Sequence, residues 1–367
     1  MDQEEVTKKQ AIIIPSSEKG FELETAFKSD ETDMNEHRDM SLDYYFRSYS
    51  HLGIHEEMLK DKHRTTSYMD AVVRNKHLFK DKIVLDIGCG TGILSLFSAT
   101  AGAKHVYAVD FATITHQATE IIKENGFQDK ITVIRGKIEE IELPVPKVDI
   151  IISEWMGYFL LYESMLDSVL FARDKWLVPE GLIFPDRAIM YIAGIEDRQF
   201  IEDKQHFWER VYGLDMSPMK SLVLKEAMID TFNADHIVTK SCPILDINLK
   251  TVKVEELDFV SDFSLRATHK DNFSAFIVWF DTIFTPCNVP VTLTTSPYEV
   301  KTHWKHTFFY LEKPINVNAG EFVNGTIAVR KNKKNPRNID VLLQSRISEK
   351  LWEERGRNYL SKVYFIA

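Results

Sequence analysis

The sequence predicts an α/β protein in two parts: a parallel sheet with crossover helices, then an antiparallel sheet or barrel. Two patterns carry this. From Lys82 to about Pro185, short apolar runs alternate with 10–15-residue helical segments. Ile83-Val84-Leu85, Val106-Tyr107-Ala108-Val109, Ile131-Thr132-Val133-Ile134 and Val148-Asp149-Ile150-Ile151-Ile152 are the strands, and such spacing suits parallel pairing. After Pro185 the runs are short and β-rich: Ala275 to Phe280, Thr307 to Tyr310, Gly325 to Val329 and Asp340 to Leu343. Asn318-Ala319-Gly320 and Asn324-Gly325 read as turns between them.

The chain has 367 residues, enough for two domains. With 44% hydrophobic and 11% aromatic residues it is not a disordered chain. No apolar run reaches the ~18–20 residues of a membrane span, because Glu154 interrupts the longest stretch, Val148 to Tyr162. The acidic Met1-Asp2-Gln3-Glu4-Glu5 start is neither a secretory signal nor a myristoylation site. Cys89, Cys242 and Cys287 form neither a disulfide framework nor a zinc motif, so no metal is expected. A soluble protein of a reducing compartment is the expectation.

Residues 1–40 hold eleven acidic and five basic side chains and little periodicity, so residues 1–41 read as a flexible acidic tail. Order is expected from Asp43-Tyr44-Tyr45-Phe46, with an amphipathic stretch through Met58 to Val73. Residues 42–185 form the first domain and 186–367 the second. Between the halves, about 198–227, Phe200, Phe207, Trp208, Val211 and Tyr212 recur at helical spacing. They belong either to a core helix pair or to an arm that buries aromatics on another copy. The net charge of −10 argues weakly against nucleic acid and for basic partners.

Val84 to Gly92, VLDIGCGTG, joins a strand to a helix. Its glycines allow positive φ and close approach of a ligand. The pattern is GxGxG, not the GxGxxG of dinucleotide binders, which excludes a nicotinamide-dependent oxidoreductase. Asp86 before the loop would repel pyrophosphate but accept from an ammonium group. Asp110 ends the next strand, where it would take both ribose hydroxyls. Glu139 is placed to reach an adenine edge. A nucleoside with an amino-acid end and no phosphate fits: S-adenosylmethionine, leaving S-adenosylhomocysteine. A plain strand-to-helix turn is the alternative.

The fourth strand runs into Ser153-Glu154-Trp155-Met156-Gly157-Tyr158, then Tyr162-Glu163-Ser164-Met165. Two nearby carboxylates in a dry pocket repel unless a cation lies between them. A guanidinium, planar and always charged, suits that place. Two solvated helix acids are the bland alternative.

This segment resembles the double-glutamate loop of the type I protein arginine methyltransferases. Tyr45 to Tyr49 (YFRSY), Gly53 to Asp61 (GIHEEMLKD), the glycine loop and Thr302-His303-Trp304 match the same family in order, over roughly residues 42–345. The resemblance implies a Rossmann-like S-adenosylmethionine-binding domain, an antiparallel β-barrel domain and a helical dimerisation arm. It assigns Arg64 to the cofactor carboxylate, with His55, Asp86, Gly88 and Gly90 nearby, Asp110 to the ribose and Glu139 to the adenine amino group. Glu154 and Glu163 would clamp the substrate guanidinium. His303 and Asp61 would close the site, as a proton route or as a latch. Tyr45 and Tyr49 would cover the cofactor and shape the acceptor channel, and Trp304 would border it. Met58 would sit beside the target nitrogen, favouring the asymmetric product. The junction at Phe184-Pro185 is implied to be cis.

Four positions depart from the family pattern: Asp110 for Glu, Phe111 for Cys, Arg47 in YFRSY, and the ending from Glu349. None removes a catalytic group. The resemblance implies monomethyl and asymmetric dimethylarginine in Gly/Arg-rich proteins such as RNA-binding proteins and histones, in cytoplasm and nucleus. It implies a homodimer through the arm, with assembly beyond the dimer left open. A catalytically weak regulatory partner of an active enzyme is the competing expectation.

Overall fold

The computed structural model describes Phe27, residues 49–347 and residues 360–366. The start of order expected at Asp43-Tyr44-Tyr45-Phe46, and Arg47 after it, lie outside these residues. Where one amphipathic stretch is expected, two helices form, α1 (Leu52–Lys60) and α2 (Lys62–Val73). Asp61 makes the break. Its extended backbone ends α1, and its carboxylate accepts from the Arg64 N–H at 3.0 Å, capping α2. A short α3 (Lys76–Phe79) then leads into the sheet.

The first domain runs β1 (Ile83–Ile87), α4 (Ile93–Thr100), β2 (His105–Asp110), α5 (Thr115–Glu124), β3 (Ile131–Arg135), β4 (Val148–Ser153), α6 (Met165–Trp176) and β5 (Leu177–Phe184). The strands pair in parallel in the order β3-β2-β1-β4-β5. Val84, Leu85, Ile150, Ile151 and Ile152 are buried, as expected of strands covered on both faces. The chain leaves β1 toward β2 and later returns to β4 on the other side. Loops after β1 and β4 therefore part at the carboxyl edge and open a crevice, where open α/β sheets bind ligands.

The peptide between Phe184 and Pro185 is cis. Beyond it every strand pairing among the named elements is antiparallel. β6 (Arg187–Ile195), β7 (Met228–Asp230), β8 (Cys242–Asn248), β10 (Asp271–Phe284) and β12 (His306–Val317) form one sheet in the order β7-β12-β10-β6-β8, with β11 (Val291–Thr294) on β10. β9 (Phe259–Arg266), β13 (Phe322–Lys331), β14 (Ile339–Ile347) and β15 (Leu360–Ile366) form the other, ordered β15-β14-β13-β9. The two enclose a barrel-like core holding Phe263, Phe273, Phe276, Ile327 and Val341.

One expectation needs correction. Asn324-Gly325 is not a turn but lies inside β13; a Cβ on Gly325 would meet the Phe263 ring at 2.4 Å, so the glycine answers to packing. Of residues 1–41 only Phe27 is among the described residues, its ring 3% exposed and seated on Ala328, Leu342 and Val363 beneath the Arg330 guanidinium. The ending from Glu349 is described from Leu360 on, where it adds β15 to the edge of β14.

The segment 198–227 divides its aromatics. In α7 (Arg198–Phe207), Phe200 stacks on Tyr310 with centroids 4.7 Å apart and Ile201 is buried. Phe207, Tyr212, Leu214, Met216 and Leu222 are exposed. One end of the arm is core and the other a bare apolar surface.

Candidate active site

A cavity of about 380 Å³ opens at the crevice between the loops after β1 and β4. Its floor is the loop from Gly88 to Gly92. Gly88, Gly90 and Gly92 all have positive φ, at 71°, 53° and 82°. A Cβ on Gly88 would come within 2.3 Å of Met165 Cε, and one on Gly90 within 3.3 Å of the His55 ring, so the cradle is built to glycine's size. The loop is tied to β2: Gly88 and Cys89 N–H groups donate to the Val109 carbonyl at 2.9 and 3.1 Å. Asp110 stands at the end of β2, its carboxylate accepting from Gly90 N–H at 2.9 Å and Ala112 N–H at 2.8 Å. Burial raises its carboxyl above the ordinary value against those hydrogen bonds. Glu139 lines the same wall and accepts from the Ser168 hydroxyl at 2.5 Å.

The opposite wall is the loop from Glu154 to Ser164. It folds back on itself, Gly157 N–H donating to the Leu160 carbonyl at 3.0 Å. A Cβ on Gly157 would lie 2.0 Å from the Tyr162 carbonyl oxygen. Phe159, Leu160, Glu163 and Ser164 all hold positive φ, between 53° and 72°. Such residues cost about 1–3 kcal/mol each and persist where their surroundings over-determine them, as functional loops are.

The two glutamates have different environments. Glu154 accepts from Arg64 Nε at 3.0 Å and Nη2 at 2.9 Å, with both side chains less than a tenth exposed. Glu163 accepts from the Tyr49 hydroxyl at 2.8 Å. Burial, reinforced by the Glu154 charge, pushes Glu163 up to about 7, against the Tyr49 hydrogen bond and the Arg337 charge. One carboxylate is compensated and the other held near its titration point.

From the barrel side, His303 Nδ1 lies 2.8 Å from Asp61 Oδ2, which also accepts from the His303 N–H at 2.8 Å. Burial raises the Asp61 carboxyl, but these contacts and the Arg64 N–H outweigh it and the net shift is downward. Trp304 donates from Nε1 to the Met156 carbonyl at 2.8 Å and is buried against Phe280. The barrel thus closes one end of the cavity and braces the glutamate loop.

A family model described as the arginine methyltransferase oligomerization subdomain matches residues 186–350, and one described as ribosomal protein L11 methyltransferase matches residues 61–169. The chain is 56% identical over 299 residues to protein arginine N-methyltransferase 1 of Schizosaccharomyces pombe, covering 82% of this chain and 88% of that one. It is 52% identical over 301 residues to the protein of the same name from Chlamydomonas reinhardtii, with 82% and 87% covered. The Trypanosoma brucei PRMT1 enzyme–prozyme heterotetrameric complex with AdoHcy superposes with TM-score 0.83 at 47% identity, covering 87% of this chain and all of that one. The open Arabidopsis thaliana protein arginine methyltransferase 10 gives 0.80 at 34%, covering 88% and 100%.

The chain belongs to the protein arginine methyltransferases.

It is a type I S-adenosylmethionine-dependent arginine N-methyltransferase, with the family's parallel-sheet and barrel-like domains and its oligomerization module. The structure brings Tyr49, His55, Met58, Arg64, Gly88, Gly90, Asp110, Glu139, Glu154, Glu163, His303 and Trp304 around one cavity. Tyr45 lies outside the described residues. One placement differs from expectation. Asp86 is not on the cavity wall: strand alternation turns it toward α4, where the Ser95 hydroxyl donates to it at 2.6 Å and its other oxygen has no hydrogen-bond partner among the described residues. Burial pushes it up to about 7. Arg64 lines the cavity and meets the buried carboxylate of Glu154.

Sequence reasoning missed Lys331 and Arg337, which stand in none of the motifs it singled out. Their turn touches the glutamate loop 174 residues away in sequence, with Arg337 Nη1 2.6 Å from the Glu163 carbonyl oxygen. No local pattern announces such a contact.

Proposed function

We propose that this methyltransferase acts on arginines of Gly/Arg-rich proteins, RNA-binding proteins and histones among them, giving monomethyl and asymmetric dimethylarginine. The single observation that carries the reading is that Glu154 and Glu163 face one cavity with the glycine cradle, Asp110 and Glu139. The donor set fits S-adenosylmethionine: carboxylates at the end of β2 and beyond β3 for hydroxyl and amino donors, and a glycine floor no side chain could share. When bound, that cofactor supplies an already activated methyl group.

The chain's own task is alignment and charge. Glu154 and Glu163 draw the positive charge of the substrate guanidinium toward its far nitrogens, leaving the attacking nitrogen more electron-rich. Holding that nitrogen in line is the larger share of catalysis. Proton loss follows transfer, since a free guanidinium has a pKa above ~12. His303 with Asp61 is the latch between α2 and the barrel and the route offered for that proton. Met58, whose carbonyl and sulfur both approach Arg64, is the residue this reading sets beside the target nitrogen, in favour of a second methyl on the same atom.

The finer partner reading is a homodimer through the bare end of the arm. Three free cysteines suit the reducing cytoplasm and nucleus. The regulatory-partner alternative would call for a lost loop glutamate, and both are present.

The test is to incubate the protein with S-adenosylmethionine and a Gly/Arg-rich peptide, hydrolyse, and identify the methylarginines. Asymmetric dimethylarginine from wild type and none from Glu154→Gln is expected. A symmetric product would overturn the Met58 assignment, and no product with cofactor bound would favour the regulatory partner.

A further inference from the structure

The turn after β13 reaches across the domain boundary and holds the glutamate loop at one residue from both sides. Glu163 N–H donates to the Arg337 carbonyl at 2.8 Å, and Arg337 Nη1 donates to the Glu163 carbonyl at 2.6 Å. Next along the loop, the Ser164 hydroxyl donates to the Pro336 carbonyl at 2.6 Å. Lys331 Nζ forks onto Asp167 at 2.5 and 2.6 Å, at the start of α6.

The turn is itself stiff. Asn332 Oδ1 accepts from the N–H groups of Lys334 and Asn335, Asn335 Oδ1 from that of Arg337, and Asn332 Nδ2 donates to Asp340. A rigid barrel turn therefore grips both backbone groups of a residue whose φ of 72° an isolated chain would leave.

We propose that Arg337 is a positioning residue for methyl transfer: with Lys331 and the asparagine-stiffened turn, it fixes the backbone of Glu163 and so aims that carboxylate at the substrate guanidinium. This rests on Glu163 being a guanidinium ligand. The barrel domain thereby sets one of the two carboxylates, while the parallel-sheet domain sets the other through Arg64.

Arg337 also acts through charge. Tyr49, Tyr158, Glu154 and Arg337 face or influence Glu163, with Arg64 beyond on Glu154. Of these, the Arg337 guanidinium favours the ionised carboxylate and Glu154 opposes it. Removing the cation must move the acid limb of the rate profile to higher pH.

The experiment measures peptide methylation across the neutral pH range, and cofactor affinity directly, for the full chain. Arg337→Met is expected to lower kcat roughly 10–100-fold with the acid limb displaced upward. Cofactor Kd should stay within about two-fold. Arg337→Lys keeps the charge, so the limb should return toward wild type while kcat recovers only in part. Ser164→Ala, which removes one clasp hydrogen bond, should lower kcat a few-fold, and it decides the matter with Arg337→Lys if Arg337→Met does not fold. Wild-type kcat in these variants overturns the proposal, as does a loss that follows cofactor affinity with no movement of the limb. Glu163→Gln alongside separates the two ideas: if it stays active the guanidinium reading fails, whereas if it is inactive and the Arg337 variants are not, only the clasp fails.

Discussion

At the scale of single residues, the two glutamates of one loop are unequal because their neighbours are. Glu154 has a guanidinium on it already, while Glu163 has a phenol and a burial penalty that brings it to about 7. Binding needs the ionised form, so kcat/KM for peptide should rise with pH through a limb near that value. The Tyr49 hydroxyl stabilises the anion, so Tyr49→Phe should shift the limb upward by roughly half to one pH unit. An unmoved limb would mean that another group governs it. Gly88 carries a second expectation. At φ 71° with Met165 Cε in the way, Gly88→Ala is strained and crowded, and should weaken cofactor binding about ten-fold in a direct titration. An unchanged affinity would show that the ligand does not approach this backbone. These residues were legible in the sequence because each sits in a dense local motif. Arg337 was not, and neither was the Tyr49–Glu163 bond, which joins positions 114 apart. Asp86 was placed wrongly because its distance from the loop was readable and the side of the strand it faces was not.

At the scale of elements, Asp61 joins three of them. It ends α1, caps α2 through the Arg64 N–H, and holds His303 of the barrel. Asp61→Ala removes the cap and both His303 contacts, and should cost about 1–3 kcal/mol in thermal or denaturant unfolding at neutral pH. The pH dependence follows from the downward shift of its carboxyl. A group depressed in the fold stabilises above its unfolded value and loses that contribution as pH falls through its folded value. The gap between wild type and variant should therefore close below the ordinary carboxylate range; a gap that persists in acid would make Asp61 a packing residue. Helix period alone ran α1 and α2 together, since only the extended backbone at Asp61 reveals the break. Strands were easier: β1, β2, β3 and β4 are the apolar runs themselves. Asn324-Gly325 misled because a glycine chosen for the Phe263 ring looks, in sequence, like one chosen for a turn.

At the scale of the whole molecule, the site is assembled from both domains, and the arm remains to be explained. The aromatic spacing of residues 198–227 was compatible with a core or with a docking surface, and the fold divides it between them. Phe200 and Ile201 belong to the barrel core, while Tyr212 and Leu214 stand bare beside Phe207 and Met216. Grouped exposed apolar side chains of this kind mark an interface, since scattered single ones would need no explanation. Their residues fall within the match to the oligomerization subdomain. A second copy docking there would bury each arm on its partner, giving a closed, two-fold assembly. Sedimentation should then give a mass twice that of the 42.6 kDa chain. Tyr212→Ala combined with Leu214→Ala should halve it while leaving the fold intact, because neither side chain contributes to the core. If the double variant sediments as wild type does, the copies meet elsewhere and the bare face serves another partner. If wild type is itself a monomer, the arm awaits a different chain, and mixing experiments with such a partner would replace self-association as the measure of what this surface recognises.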